Sequence, residues 1–307
     1  MSIFICGITG NQGSSIATHL LKHSPPPPVR GLTRNASSPI SQNLVSRGIT
    51  LIEGDYSNTA ALETAIAGCT SLFLNLNPCF TDDTLELHTA KTILTIARAA
   101  GVKQVLYSSG LSTDSPEKLN SWDPNSLVGK SLLSKKAIEH QVRTFGFDAW
   151  TILRPGGFMS NYVLPLVKMY DGLVENGRWN TALQRDSIIP LVDVETIGRF
   201  GCAALLDTER FNGKEIGLAD EFLTADDVLG KLAAVTGRDL KAVYMTDEEV
   251  DAQKGTNPIV AGLMMMRDLA KFVDLEQVRE WGFQTSSMDK FIERETTRVV
   301  ETYKKGD

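Results

Sequence analysis

The residues in this chain best suited to chemistry stand near its start. Gly7-Ile8-Thr9-Gly10-Asn11-Gln12-Gly13 follows a short apolar run and opens a helical pattern. The Gly-x-x-Gly-x-x-Gly spacing puts small residues where a chain turns sharply, where backbone approaches a diphosphate, and where helix packs on strand. N–H groups at the start of the helix then face phosphate charge. Position strengthens the motif, which fills the first strand–turn–helix unit of a long alternating series. The expected chemistry is dinucleotide binding. The competing reading is a turn that serves structure only.

A site for NAD commonly carries Asp or Glu about 20 residues further on, to hold the ribose 2′-hydroxyl. Here no Asp or Glu precedes Glu53, and the second apolar run ends in Thr33-Arg34-Asn35. A guanidinium suits a 2′-phosphate by bidentate contact and can stack on adenine. NADP (NADPH) is therefore expected over NAD. The alternative for Arg34 is a solvated loop charge.

Such residues need a scaffold. Apolar runs at residues 2–8, 29–33, 49–53, 71–75, 103–107 and 149–153 alternate with helical patterns at 12–22, 40–47, 59–67, 82–100 and 127–144. Strand then helix, repeated, predicts an α/β fold: a Rossmann-type doubly wound parallel sheet with helices on both faces. The tetraproline at 25–28 must end the first helix. After Leu153 the rhythm changes. A helix is expected within 158–170, a short apolar run at 188–192, a helix at 195–206 and a strand at 214–218. Helices near 224–235, 258–272 and 288–302 complete the pattern, with Thr224/Asp227 and Thr246/Glu249 as helix-start boxes. Residues 1–155, completed by about 188–218, would form the dinucleotide domain. Residues 156–187 and 219–307 would form a smaller, mainly helical module for substrate or partner.

Composition narrows the partners. The 307 residues are 42% hydrophobic and 22% charged, with a net charge of -6. An acidic balance argues against a direct nucleic-acid binder, which needs a basic face to displace counterions. No apolar run is long enough to span a membrane, and no charged leader precedes the first apolar run, so no signal peptide is expected. Cys6, Cys69, Cys79 and Cys202 form no Cys-x-x-Cys pair and read as reduced thiols of a cytoplasmic protein, with the nucleus as a further compartment. Nothing in the composition sets an oligomeric state.

GITGNQG, VRGLTRN, EGDYSN, VLYSSG, SKKAIEH, RPGGFMSNY and IPLVDVETIG occur in that order from Ile3 to about Glu293. Together they resemble the NmrA-like family, an atypical branch of the short-chain dehydrogenase/reductases. The resemblance implies a phosphate loop of Gly7, Thr9, Gly10, Asn11, Gln12 and Gly13, with Arg34 on the adenosine phosphate. It implies Asp55 and Tyr56 against the adenine, although Asp55 also suits a turn or cap. It further implies Asn75, Leu76 and Asn77 beside the ribose, Ser108 and Ser109 near the nicotinamide, and Pro155, Gly156 and Phe158 bordering it.

The wider superfamily uses Tyr-x-x-x-Lys on one helix face, in which the lysine holds the ribose and lowers the tyrosine pKa, and a serine holds the substrate oxygen. By this resemblance Lys135 matches the lysine and Ser109 the serine, with Lys136 as a register alternative. Ser131, a much poorer acid, stands where the tyrosine would be. Three accounts follow. Lys135 anchors the ribose while Tyr162 or Lys135 itself gives the proton. Or the protein binds NADP without chemistry and reports the NADPH/NADP ratio to a regulatory protein partner. Or Lys135 merely pairs with Glu139 on a solvated face. In the first case Phe158, Met159, Tyr162, Trp179 and Met264–Met266 could line an apolar pocket for a carbonyl, enone, quinone or imine, although core packing is the commoner use of such residues.

Other groupings carry less. His19 and His23, at i and i+4, lack acidic or Cys neighbours, so no metal site is expected. His88 and His140 are isolated, and no Gly-x-Ser-x-Gly elbow is present. Asp82-Asp83, Asp226-Asp227 and Glu248-Glu249 suit first helical turns, where negative charge meets the helix dipole. Asp193 suits a turn before a helix.

Overall fold

The structure, a computed structural model, describes residues 1–304. Strands β1 (Ile3–Ile5), β2 (Val29–Thr33), β3 (Thr50–Glu53), β4 (Ser71–Leu74), β5 (Gln104–Ser108) and β6 (Ala149–Pro155) alternate with helices. The helices are α1 (Asn11–Leu20), α2 (Pro39–Ser46), α3 (Thr59–Ile66), α4 (Leu85–Ala99) and α5 (Leu127–Thr144). The chain goes on through β7 (Gly157–Phe158), α6 (Leu173–Asn176), β8 (Arg178–Thr181), β9 (Ile189–Val192), α7 (Val194–Leu206), α8 (Thr208–Phe211), β10 (Lys214–Leu218) and β11 (Glu221–Leu223). It ends in α9 (Ala225–Thr236), β12 (Lys241–Tyr244), α10 (Asp247–Gln253), α11 (Pro258–Met266), α12 (Leu275–Glu280), α13 (Met288–Arg294) and α14 (Thr296–Tyr303). Two compact units result. The first comprises Met1–Thr113, Leu133–Arg154 and Ile197–Ile216, and the second comprises Asp114–Leu132, Pro155–Thr196 and the residues from Gly217 onward.

The first unit is built on a seven-stranded sheet in the order β10-β6-β5-β4-β1-β2-β3. β1 pairs in parallel with β2 on one side and β4 on the other, with Ile5 opposite Gly31 and Phe73. The strand order therefore reverses beside β1, and doubly wound sheets bind ligands at that point, outside the carboxyl ends of the strands. The strands read as continuous apolar runs because helices cover both faces. Phe4, Leu72, Leu74, Val105 and Ile152 are buried against Ile93 and Ala97 of α4 and Ile138 of α5.

One buried carboxylate joins three elements of this unit. Glu139 of α5 is 0% exposed. Arg154 of β6 donates to it twice, at 2.8 and 2.7 Å, and Arg143 donates at 2.6 Å. Ser109 Oγ adds a fourth hydrogen bond at 2.7 Å. Both arginines also meet Glu215 of β10, Arg143 at 2.6 Å. Burial pushes the Glu215 carboxyl up, but hydrogen bonds and charge from Arg143 and Arg154 outweigh this and hold it below its ordinary value.

The second unit holds helices and two small sheets. β9 lies between β11, antiparallel, and β7, parallel, while β8 and β12 pair in parallel. Thr224 with Asp227 and Thr246 with Glu249 form reciprocal capping boxes at the starts of α9 and α10. Asp226 and Asp227, like Glu248 and Glu249, stand in those first turns. Asp82 and Asp83 do not: they precede α4, and Asp82 turns the chain by accepting from Thr84 N at 3.0 Å. The helix expected in 158–170 is replaced by β7 and two 3₁₀ turns, Met159–Tyr162 and Leu166–Met169. Pro165 between them has no N–H to continue a helical ladder. The expected 288–302 helix is two helices that meet at Glu295.

Asp193 does turn the chain into α7, accepting from Glu195 N at 3.1 Å. It is also 0% exposed and gripped by both terminal nitrogens of Arg294, at 2.8 and 2.9 Å, with Ser286 Oγ at 2.7 Å.

Replacing Glu139 with Ala leaves two guanidinium groups without their shared partner. We expect a loss of about 3–5 kcal/mol in a urea titration. The Glu215 carboxyl titrates lower in the folded chain than in the unfolded one, so its contribution is present above its ordinary value of 4.5 and fades as pH falls through the lower folded value. Glu215→Gln should accordingly flatten the acid limb of the stability curve measured by the same titration.

Candidate functional site

The loop after β1 takes a shape that only small residues permit. Gly7 sits at φ +61°, in the left-handed region that favours glycine. A Cβ on Gly13 would lie 2.4 Å from the Gly7 carbonyl oxygen, so the first turn of α1 is pressed directly on the β1 turn. Gly10 is the N-cap of α1. Among the described residues no side chain caps this helix, and no acidic residue stands in its first turn. The contrast with other helices is informative: Ser38, Asn58, Thr224, Thr246, Asn257, Asp274 and Ser287 each cap one with their own side chain. Among the described residues α4, α6 and α14 also lack a side-chain cap; what marks α1 is that its open N–H end stands directly behind the glycine loop.

Several of the residues singled out from the sequence meet around this loop. Ser108 Oγ, at the end of β5, donates to Gln12 Oε1 at 2.7 Å. Gln12 Nε2 in turn donates to Asn75 Oδ1, just beyond β4, at 3.3 Å. The Asn75 amide nitrogen would be 3.4 Å from a Cβ on Gly7. The carboxyl ends of β1, β4 and β5 are thus linked by one run of side-chain hydrogen bonds. Thr9 and Asn11 lie half-buried in the loop, Leu76 is buried and Asn77 is exposed.

Tyr56 was expected against an adenine. Its hydroxyl oxygen accepts from Gly7 N at 2.7 Å, which makes it a prop for the turn. Burial, then the neighbouring Cys6 thiol, pushes its phenol well above the ordinary value, so it holds its proton. Burial likewise pushes the Cys6 thiol up to about 12. All four cysteines are free thiols. Arg34 is exposed at the end of β2. Asp55, also exposed, accepts from Ser57 Oγ at 2.5 Å and Ser57 N at 2.9 Å, and these bonds hold its carboxyl below the usual range, aided by Arg34.

The lysine finds a partner other than the one the sequence suggests. Lys135 Nζ donates to Glu86 Oε1 of α4 at 2.6 Å, and the Glu86 side chain is 2% exposed. The expected Lys135–Glu139 pair is not formed, because Glu139 is taken up by Arg143, Arg154 and Ser109. Tyr107 of β5 is fully buried, and its hydroxyl has no hydrogen-bond partner among the described residues. Burial raises its phenol well above the ordinary value, and the Glu86 and Glu139 charges add to this. Glu86 could not be singled out from sequence spacing, since it lies 49 residues from Lys135 along the chain.

Pro155, Gly156, Phe158 and Tyr162 belong to the second unit. Gly156 N donates to Leu218 O at 2.9 Å, and Phe158 pairs with Val192 through β7 and β9. The Tyr162 ring packs on Tyr170 and Trp179, with centroids 5.3 and 5.8 Å away. Burial, with the Tyr170 and Tyr303 hydroxyls, raises its phenol well above the ordinary range. Met159 and Trp179 are core residues of this unit, and Met264 and Met266 pack against that core. Among the described residues no three His, Cys, Asp or Glu side chains form a metal-holding group. Among the described residues no helix is long and apolar enough to cross a membrane.

The sequence profile of the NmrA-like family matches residues 1–304. A relative from Aspergillus japonicus, the NmrA-like family domain-containing oxidoreductase himF, is 27% identical over 263 residues, covering 80% of this chain and 76% of its own. The NADPH-dependent quinone oxidoreductase QOR2 of Escherichia coli, solved with NADPH, superposes with a TM-score of 0.73 at 21% identity, over 95% of this chain and 99% of its own. NmrA, a negative transcriptional regulator solved with NADP, superposes with a TM-score of 0.72 at 18% identity, over 96% of this chain and 97% of its own.

The Gly7–Gly13 contact leaves no room for a methyl group. Gly13→Ala should destabilise the fold by about 1–3 kcal/mol in thermal or urea unfolding. The conservative Tyr56→Phe should cost about 1 kcal/mol, because the Gly7 N–H loses its acceptor.

Proposed function

The chain belongs to the NmrA-like family, and on that footing we propose that it is an NADP(H)-dependent oxidoreductase acting on a small apolar carbonyl, enone, quinone or imine. The observation that carries the reading is the start of α1: a glycine cap, no capping side chain among the described residues, and no acidic residue in the first turn, behind a loop too tight for a Cβ. A helix end kept in this way suits a diphosphate. The coenzyme carried by the E. coli quinone oxidoreductase and the oxidoreductase name of the Aspergillus relative support the same reading.

When bound, NADPH supplies a hydride. The chain's own residues do the rest. Gly7, Thr9, Gly10, Asn11, Gln12 and Gly13 hold the diphosphate, and Tyr56 fixes the turn from below. The exposed Arg34 takes the 2′-phosphate, and Asp55, beside it in charge, accepts from the adenine amino group. Asn75, Leu76, Asn77 and Ser108 border the ribose, with Asn75 and Ser108 joined through Gln12. Lys135, steadied by Glu86, offers an ammonium to the nicotinamide ribose hydroxyls. Ser109, seated on Glu139, is held where the fifth strand ends, to orient a substrate oxygen. Of the two proton sources the sequence offers, the Lys135 ammonium is favoured over Tyr162, whose phenol is sealed among Tyr170 and Trp179.

One observation favours a second reading, in which the protein binds the coenzyme without chemistry and signals its redox state to a protein partner. Ser131 stands one helical turn before Lys135 on α5, where the superfamily's acid would be. The regulator NmrA, solved with NADP, has the same fold.

Calorimetry with NADPH and NADH should give the tighter constant for NADPH. Arg34→Ala should remove about 1–3 kcal/mol of that preference, the scale of a charge-assisted hydrogen bond, while leaving NADH little changed. Equal affinities would sink the coenzyme assignment. A panel of quinones, enones, imines and aldehydes, followed by loss of NADPH absorbance, then separates the two readings. Turnover that disappears in Lys135→Met supports the enzyme, and no turnover with any compound supports the sensor.

A further inference from the structure

We infer that the substrate group seated on Ser109 is a hydrogen-bond donor, and that the class of substrate it selects is a protonated imine; the inference rests on the oxidoreductase reading. A serine hydroxyl has one hydrogen and two lone pairs. In Ser109 the hydrogen is already committed. Its Oγ donates to Glu139 Oε1 at 2.7 Å, and a second, longer contact, to the Leu153 carbonyl oxygen at 3.5 Å, is with an acceptor too. The Glu139 carboxyl has no hydrogen to offer in return. Arg154 Nε donates to the same oxygen at 2.8 Å, and Arg154 and Arg143 donate to Oε2 at 2.7 and 2.6 Å. Guanidinium groups only donate, so the carboxyl they surround is an acceptor. A bond to an ionised acceptor is about twice as strong as a neutral one, so turning the Ser109 hydrogen toward a ligand carbonyl exchanges a stronger bond for a weaker one.

The half-buried Ser109 therefore presents lone pairs to a ligand. It stands one residue beyond Ser108, whose own hydroxyl hydrogen goes to Gln12 of the glycine loop at 2.7 Å. Both serine hydrogens at the end of β5 are thus turned into the protein. A bare ketone, enone or quinone oxygen can only accept, and finds no donor in either serine. An iminium N–H⁺ finds an acceptor in Ser109, and its bond is charge-assisted.

The same choice of substrate accounts for the missing acid. Reduction of a carbonyl must end with a proton on oxygen. Reduction of a protonated imine needs none: the iminium carbon takes the hydride of NADPH, the C=N π pair becomes the nitrogen lone pair, and a neutral amine and NADP⁺ result. Position 131 of α5 accordingly carries a serine where the superfamily has a phenol. The tyrosines of the first unit do not replace it, since the Tyr56 hydroxyl is bonded to Gly7 N and Tyr107 is 0% exposed. Lys135, held on Glu86 at 2.6 Å, is left to the ribose.

The test follows NADPH oxidation by the full chain with 3,4-dihydroisoquinoline, its N-methyl iminium salt and 1-tetralone, after calorimetry has established NADPH binding. We expect kcat/KM for the imine to exceed that for the ketone by about tenfold or more, the scale of one charge-assisted hydrogen bond. It should fall about tenfold per pH unit above the imine's own pKa, whereas the N-methyl cation, which cannot lose a proton, should show no such fall. The N-methyl cation also lacks the N–H, so Ser109→Ala should narrow the preference for the protonated imine over it by about tenfold. Ser109→Thr keeps the hydroxyl and should restore that preference. Ketone turned over as well as imine, no turnover of the imine, or a preference unchanged in Ser109→Ala would each overturn the inference. Reduction of a ketone or quinone without reduction of the imine sinks it alone, and absence of NADPH binding sinks the oxidoreductase reading with it.

Discussion

The contact between Gly13 and the Gly7 carbonyl is the constraint from which the rest of the first unit follows. With no side chain at either residue, the helix axis starts directly over the end of β1. Close approach places the uncapped N–H end of α1 at the reversal of strand order, between β2 and β4. Tyr56 from the end of β3 closes the turn from one side, and Asn75 and Gln12 close it from the other. A larger residue at either glycine would displace all of these together, because each bond is referred to the same few backbone atoms.

Two buried carboxylates of the first unit, Glu139 and Glu86, each gather their own partners. Glu139 gathers Arg143, Arg154 and Ser109, and Glu86 holds Lys135. Buried carboxylates are tolerable only when paired and hydrogen-bonded. Glu139 meets that demand with four donors, and the result is a fixed seat for Ser109. Glu86 meets it with the one lysine that the family resemblance brings to the coenzyme. The tyrosine missing at position 131 therefore leaves a lysine that is still firmly placed, a condition common to both readings of the function.

The alternating sheet was legible in the sequence because each strand is a compact apolar run and each helix carries its own period. The glycine loop was legible because its spacing is local. The partners of Lys135 and Tyr56 were not, since Glu86 and Gly7 lie 49 residues away along the chain, and only the closed sheet brings them near. β8, β11 and β12 escaped notice for another reason. They are three or four residues long and alternate exposed with partly or fully buried positions, so no apolar run marks them. Residues 158–170 carry apolar side chains at helical spacing, but Pro165 and a pairing of Gly157 with Leu191 decide the backbone differently.

The clamp between Asp193 and Arg294 bears on the order in which the molecule can be completed. Every segment of the first unit has been made once Ile216 emerges from the ribosome. In the second unit a carboxylate with no exposure waits for a guanidinium 101 residues downstream. Until α13 has been synthesised, that acid has no cationic partner, and the segment around it has reason to stay hydrated. Biosynthesis thus favours an early, self-sufficient sheet and a late closure of the remainder, with Arg294 supplying one of the last ties.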